Sequence, residues 1–234
     1  MGLFDRFRRG DRTPPADPPP AAGAARQELT DWLQGLAGPG FLGHDDVVTA
    51  AIDAVEGDPE GYPGLTAAEA RRVADEVWSA ALARQESWSD EGDYTPLSAA
   101  FADLAEAGIV TRMDFTCCQT CGHAEIADER PDEATWGYAF FHQQDSEGLE
   151  PGGSDLFLAF GTFRPVDGLD PDLVGRARDG DQDSRQEVAE LSDVRVATLI
   201  ADTLRRHGLR VDWDGTARTR ICVTGLDWRK RLPV

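Results

Sequence analysis

The feature that most constrains the fold is a change of hydrophobic pattern at Gly108. Before this glycine, apolar residues recur at three- and four-residue steps in four segments, which is the pattern of amphipathic helices. After it, short runs rich in β-branched and aromatic residues alternate with turn residues, which is typical of strands. This single change of pattern along the chain predicts an α+β fold in which a helical layer packs on a sheet.

Four helices are predicted in the first part of the chain. The third is the clearest, because Thr66 and Glu69 have the spacing of a capping box and an apolar stripe follows them. Thr95 and Pro96 are suited to the start of the fourth helix, and Gly108 ends it. The predicted helices begin at about residues 26, 45, 66 and 95.

Five strands are predicted after Gly108, at residues 109–115, 137–143, 156–163, 209–214 and 219–226. One helix is expected after the first strand, and another between the third and fourth strands, ending at Gly208. This order predicts a mostly antiparallel sheet of about five strands with two helices, close to a split βαβ arrangement. We therefore expect a helical subdomain over 26–108 and an α+β subdomain over 109–234, together forming one compact unit.

Residues 1–25 differ in composition from the rest of the chain. A short basic head is followed by TPPADPPPAAGAA, which holds five prolines in thirteen residues and predicts an extended, disordered linker. The alternative for the head is a segment that docks on a partner or touches a membrane.

The charge balance excludes several classes of partner. The chain has 43 acidic and 23 basic side chains, and its net charge of -20 disfavours phosphate backbones and anionic lipids. We therefore expect no nucleic acid or membrane partner, whereas a protein partner is compatible with the acidic surface. No apolar run is long enough for a membrane span or a secretory signal, which predicts a cytoplasmic protein with reduced thiols. The excess of Arg, Ala, Gly, Asp and Pro indicates a bacterial genome of high GC content.

The segment TCCQTCGH is the most informative part of the sequence for function. Cys118 and Cys121 have the spacing of a metal knuckle, in which a turn directs two sulfurs at one ion. His123 is a candidate third ligand, and His142 or Cys222 is a candidate fourth from another strand. Four soft or borderline donors of this kind suit zinc.

Two other interpretations of these cysteines remain open. In a thiol redox site, Cys118 would be the nucleophile at a helix N-terminus and Cys121 the resolving thiol. In the second interpretation the thiols are small apolar side chains that fill space beneath a helix.

Two weaker patterns complete the set of candidates. His142 and Asp145 could act as a base and its orienting carboxylate, although a histidine at a strand end is more often a structural residue. Residues 179–190 have acidic residues at the spacing of an EF-hand loop, but Ser184 stands where that loop requires glycine. The latter segment is therefore predicted to be a solvated acidic loop.

Several motifs together resemble an uncharacterised bacterial family, a domain of unknown function common in actinobacterial genomes. They are AGIVTRMDFTCCQTCGHAEI, GYAFFHQQD, LFLAFG, GLRVDWDGT and RICVTGLDW. The resemblance covers about residues 26–231 and implies one conserved unit with no known activity. The favoured hypothesis is a non-enzymatic binding or regulatory protein in which the Cys/His cluster is a structural element, with zinc as its candidate ion. The alternatives are a thiol-dependent redox enzyme or sensor, and an acidic protein that docks on a basic partner.

Overall fold

The computed structural model describes residues 21–233, so the basic head and most of the predicted linker lie outside the described residues. The four predicted helices are confirmed as α1 (Ala21–Ala37), α2 (His44–Gly57), α3 (Ala67–Gln85) and α4 (Tyr94–Glu106). The first helix begins earlier than the predicted residue 26. Its opening sequence AAGAA is rich in alanine, the residue of highest helix propensity, and the last proline before it is at position 20.

All five predicted strands are present and form one mostly antiparallel sheet; four are shorter than predicted, whereas the third begins two residues earlier. They are β1 (Ile109–Arg112), β2 (Gly137–Phe140), β3 (Ser154–Thr162), β4 (Val211–Asp212) and β5 (Ile221–Leu226), in the order β1-β2-β3-β5-β4. Only β1 and β2 are parallel among the strands of residues 21–233, with Ile109 opposite Gly137. The α+β class and the mostly antiparallel sheet are therefore confirmed.

Four α-helices follow β1, where two were predicted. They are α5 (Gln119–Glu125), α6 (Gln143–Ser146), α7 (Pro171–Arg178) and α8 (Gln182–Arg206). The prediction of an acidic loop over residues 179–190 was wrong from Gln182 onward, because α8 begins there, and α7 was not predicted. Acidic residues cap both helices: Asp170 accepts a hydrogen bond from the backbone N–H of Asp172, and Asp181 accepts one from that of Ser184 at 2.9 Å.

Helices cover both faces of the sheet. On one face, α4 and α8 pack against alternate strand residues such as Ile109, Ala139 and Leu158, which are buried. On the other face, Val110, Phe140 and Ala159 form a smaller buried cluster with Ile126, which follows α5. This alternation is what a sheet buried on both faces requires, and it places α5 directly over β2.

The first three helices have a core of their own, and the C-terminal segment joins this core to the sheet. Leu232 is buried among residues of α1, α2 and α3, whereas Trp228 belongs to the core beneath the sheet. Between them, the Lys230 ammonium group donates a hydrogen bond to the Gly40 carbonyl oxygen at 2.6 Å. Within residues 21–233, no helix combines the length and apolar character needed to cross a membrane.

Candidate metal centre

The candidate site lies at the edge of the sheet where β1 and β2 both end. Because these strands are parallel, the loop after β1 and the loop after β2 leave the sheet side by side. Backbone hydrogen bonds join the two loops, from Phe115 N–H to the Phe141 carbonyl oxygen at 2.9 Å and from Gln143 N–H to Thr116 at 3.1 Å. The first loop carries the cysteines and the second carries His142.

Three thiols converge in the first loop. The sulfurs of Cys117, Cys118 and Cys121 all lie within 4.8 Å of one another, and those of Cys117 and Cys121 are 3.5 Å apart. All three are free thiols, Cys117 being exposed and the other two partly buried. Zinc–sulfur bonds of about 2.3 Å place tetrahedral sulfurs about 3.8 Å apart. The cluster therefore has the dimensions of three ligands around one soft metal ion.

The backbone before the cluster adopts conformations that are rare for its residues. Asp114 has a φ of 53° and Thr116 a φ of 59°. Aspartate tolerates this region, but a β-branched residue such as threonine is an outlier there. The cross-loop hydrogen bonds and the bond from the Thr116 hydroxyl to the Cys118 carbonyl oxygen, 3.2 Å long, hold the loop in place. Strain of this kind concentrates at functional sites, where surrounding contacts maintain it.

Gly122 lets α5 approach the sheet closely. A Cβ atom at this position would lie 2.5 Å from Cζ of Phe140, a side chain that is fully buried. Any larger residue would push α5, and Cys121 with it, away from β2. The glycine after the second cysteine of the motif is therefore a packing requirement that fixes the height of the thiols above the sheet.

The thiols have unequal affinities for protons. The pKa of Cys118 is lowered, chiefly by the backbone N–H of Cys121 and then by the Cys121 thiol, which favour the thiolate. The pKa of Cys121 is raised to about 12, first by its hydrogen bond to Cys117 and then by that to Cys118. Cys118 thus ionises before Cys121, which retains its proton unless a metal ion displaces it.

His123, a predicted ligand, lies beside the cluster and is not a member of it. Its Nδ1 is 3.0 Å from the hydroxyl of Tyr138, and its Nε2 is 3.3 Å from the amide nitrogen of Gln119. The amide nitrogen is a donor, so Nε2 accepts and Nδ1 carries the ring proton. Burial lowers the pKa of His123, which favours this neutral form. Both nitrogens already have partners in this arrangement.

His142, the second predicted imidazole ligand, is engaged elsewhere. The backbone N–H of Asp145 donates to its Nδ1 at 3.2 Å, so the ring proton is on Nε2, which lies 2.9 Å from the Asp145 carboxylate. The same carboxylate accepts two hydrogen bonds from Arg220, at 2.8 and 3.0 Å. The imidazole therefore caps α6 and belongs to a buried His–Asp–Arg network, with neither nitrogen directed at the thiols.

Comparison with known proteins assigns the chain to a family. The family described as Domain of unknown function (DUF6891) matches residues 23–232, nearly the whole chain. The chain belongs to this family. No curated protein and no solved structure matches the chain. The matched range includes the helical layer, the three thiols and the C-terminal segment, so the candidate site lies inside the DUF6891 domain.

The structure brings together only part of the site that the sequence predicted for this DUF6891 domain. Cys118 and Cys121 are together as expected, whereas His123 and His142 lie outside the group, as does Cys222 on β5. Sequence reasoning missed Cys117 as the third member. The doubled cysteine was a visible signal, but its orientation depends on the unusual backbone at Thr116. Three thiolates can bind a soft metal ion and leave its fourth coordination position open. The same thiols can also react with a disulfide by thiol–disulfide exchange.

Proposed function

We propose that this DUF6891 domain is a zinc-dependent binding or regulatory protein in which Cys117, Cys118 and Cys121 hold the ion. The observation that carries the proposal is the convergence of three free sulfurs within 4.8 Å of one another. Free thiols that only fill a core do not require such convergence, and Cys117 is exposed to solvent. Three thiolates leave the fourth tetrahedral position for water or for a donor from a partner.

The surroundings of the thiols favour binding over catalysis. His123 and His142 have both ring nitrogens in hydrogen bonds, so neither is poised as a general base at the cluster. The proposal places the protein in the bacterial cytoplasm, where exposed thiols stay reduced and available to an ion. A protein that closes the fourth position, with the acidic surface contributing to its selection, is the partner that this arrangement suits.

Metal binding is tested by loading the purified, reduced chain with zinc and measuring the metal retained after dialysis against a weak chelator. We expect one zinc ion per chain. Cys117→Ser is expected to weaken zinc affinity by more than about 100-fold, because losing a ligand costs more than the 10–100-fold typical of an outer-shell partner. Cobalt substitution provides a second readout, since thiolate coordination gives a charge-transfer absorbance that the serine variant loses.

Two matched variants separate the proposed ligand set from the set predicted from sequence. Cys222→Ser removes the fourth thiol, and His123→Ala removes the nearest imidazole, and both are expected to retain zinc. Loss of zinc in His123→Ala with retention in Cys117→Ser would restore the predicted Cys/His set. If the wild-type chain retains no zinc, the proposed function is wrong.

The unequal thiols favour a second candidate, a thiol–disulfide redox function. The lowered pKa of Cys118 and the raised pKa of Cys121, for the hydrogen-bonding reasons given above, match an attacking thiolate and a thiol that is deprotonated later. The Cys118 thiolate would displace one thiol from an external disulfide. Cys121 would then attack the mixed disulfide and release the second thiol, leaving a Cys118–Cys121 disulfide.

Alkylation of the metal-free chain with iodoacetamide at several pH values tests this second candidate. Cys118 is expected to react with a midpoint below that of an ordinary thiol, about 8.5, and ahead of Cys121. In a separate, unalkylated sample, oxidised glutathione should give a Cys118–Cys121 disulfide with release of two molecules of reduced glutathione, identified by peptide mass. Equal reactivity of the two thiols would remove the basis for redox chemistry without affecting the zinc proposal.

A further inference from the structure

A second concave site lies between the end of β3 and the pair α7 and α8. It is a cleft of about 330 Å³. Its apolar lining includes Phe163, Pro165, Val174 and Val188. A volume of this size falls at the lower end of the range for small-molecule sites, which are mostly apolar with a few polar groups.

The charge around the cleft is opposite to that of the protein. Between residues 28 and 203 the chain has ten arginines against 37 acidic side chains. Nevertheless, the lining of the cleft includes three arginines, Arg164, Arg178 and Arg185, and no acidic residue. Side chains drawn at random from this region would include more acidic residues than arginines. The cleft is therefore a cationic site within an anionic surface.

The three guanidinium groups retain unused hydrogen-bonding capacity. The Arg178 side chain makes no hydrogen bond or salt bridge with any residue of the described chain, 21–233. Arg185 uses its Nε to bind the Ala177 carbonyl oxygen at 2.9 Å. Arg164 has a contact of 3.8 Å with Asp167, a carboxylate that is almost fully exposed. Each arginine can therefore turn donors toward an anion in the cleft.

A neighbouring cavity extends the cationic character. It has a volume of about 310 Å³, shares Arg164 with the cleft and adds Arg195, Asp167 and the ring of Trp136, so its lining has two arginines and one carboxylate. Arg195 likewise makes no salt bridge within residues 21–233. Arg164 thus stands between two concave surfaces, and four of the ten arginines of the acidic region border them.

We propose that the cleft between β3, α7 and α8 binds a small organic anion with an apolar body and a carboxylate or phosphate group. The body would lie against Phe163, Val174 and Val188, and the anionic group would accept hydrogen bonds from Arg178 and Arg164. Guanidinium groups suit the planar or branched oxygens of such groups, because their fork of donors can form two parallel hydrogen bonds. The limited volume favours a small molecule over an acidic peptide. This site is separate from the thiol cluster and does not depend on its function.

The dye anilinonaphthalene sulfonate tests the proposal, because it joins an apolar body to one anionic group and fluoresces when it leaves water. We expect saturable binding of one dye per chain to the folded full-length protein. Arg178→Gln is expected to weaken binding by about tenfold or more, since the variant loses a charge-assisted hydrogen bond. Ala189→Trp, which adds a large ring to the exposed lining of the cleft, should abolish saturable binding without changing any charge.

Controls distinguish the cleft from non-specific binding. Arg71→Gln removes the same charge from an exposed position on α3 and should leave dye affinity unchanged. The uncharged analogue N-phenylnaphthylamine should bind more weakly than the sulfonate. Circular dichroism verifies that each variant is folded, because partly unfolded chains also bind this dye. Equal affinity in wild type and Ala189→Trp would overturn the proposal. Displacement of the dye by a tetraglutamate peptide more readily than by phenyl phosphate would overturn the small-molecule class in favour of an acidic peptide.

Discussion

Replacing Trp228 with alanine is expected to lower the free energy of unfolding by about 3–5 kcal/mol, because removing a buried indole leaves a large cavity. Trp228 is 1% exposed, and its Nε1 donates a hydrogen bond to the Pro39 carbonyl oxygen at 3.0 Å. Its ring centroid lies 5.5 Å from that of Tyr94 and 6.0 Å from that of Phe41. The substitution therefore removes contacts with α4 and with the segment between α1 and α2 together.

The position of Trp228 makes this change a test of how the chain is organised. Single domains are stable by about 5–15 kcal/mol, so the expected loss is a large fraction of the total. We predict that residues 26–234 unfold as one unit, because residues 227–232 contact both the sheet core and the helical core. Urea unfolding followed by circular dichroism and by tryptophan fluorescence measures both the free energy and the number of transitions.

Trp32→Ala is the matched control for this prediction. Trp32 lies on α1 with 38% of its surface exposed, so its removal leaves little cavity. We expect a loss below about 1 kcal/mol, as for most surface substitutions. Equal effects of the two tryptophan substitutions, or separate unfolding transitions in the wild-type chain, would contradict the single-unit prediction.

Most of the fold follows from local signals in the sequence. The apolar stripes and the capping box of Thr66 and Glu69 predict α3, and the β-branched runs predict the five strands. The helices α7 and the start of α8 were missed for a physical reason. The buried face of α8 near its start includes Ser184 and Ser192, which do not form an apolar stripe. Periodicity alone cannot distinguish such a helix from a polar loop.

The candidate site was less predictable because its contacts are not local. Spacing predicts that Cys118 and Cys121 meet, since a single turn joins them. The partner of Asp145, in contrast, is Arg220, 75 residues away, and only the register of β3 and β5 brings that arginine near. The imidazole of His142 is committed to the same network. The spacing of His142 and Asp145 indicated their pairing, but it did not indicate that Arg220 would complete the network and commit the imidazole to it.

Replacing Asp145 with alanine is expected to cost about 1–3 kcal/mol, because it leaves the buried Nε2–H of His142 without an acceptor, whereas Arg220, 31% exposed, can be solvated by water. The side chains of Asp145 and His142 are 6% and 7% exposed. Without the carboxylate, Arg220 loses two hydrogen bonds and the Nε2 proton of His142 loses its acceptor. Urea unfolding at pH 7.5 measures the loss. As a control, Asp53→Ala removes an exposed carboxylate from α2 and should change the free energy of unfolding by less than about 0.5 kcal/mol.

The pH dependence of the same variant tests whether Asp145 acts on His142. Burial is the main cause that lowers the pKa of His142, and the Asp145 charge partly opposes it. A histidine with a lowered pKa binds fewer protons in the folded than in the unfolded state, so stability falls as pH drops below the unfolded value of about 6.5. Removing Asp145 lowers this pKa further, and the stability difference from wild type should therefore grow between pH 7.5 and 5.5. A difference that stays constant over this range would show that the Asp145 charge does not raise the pKa of His142.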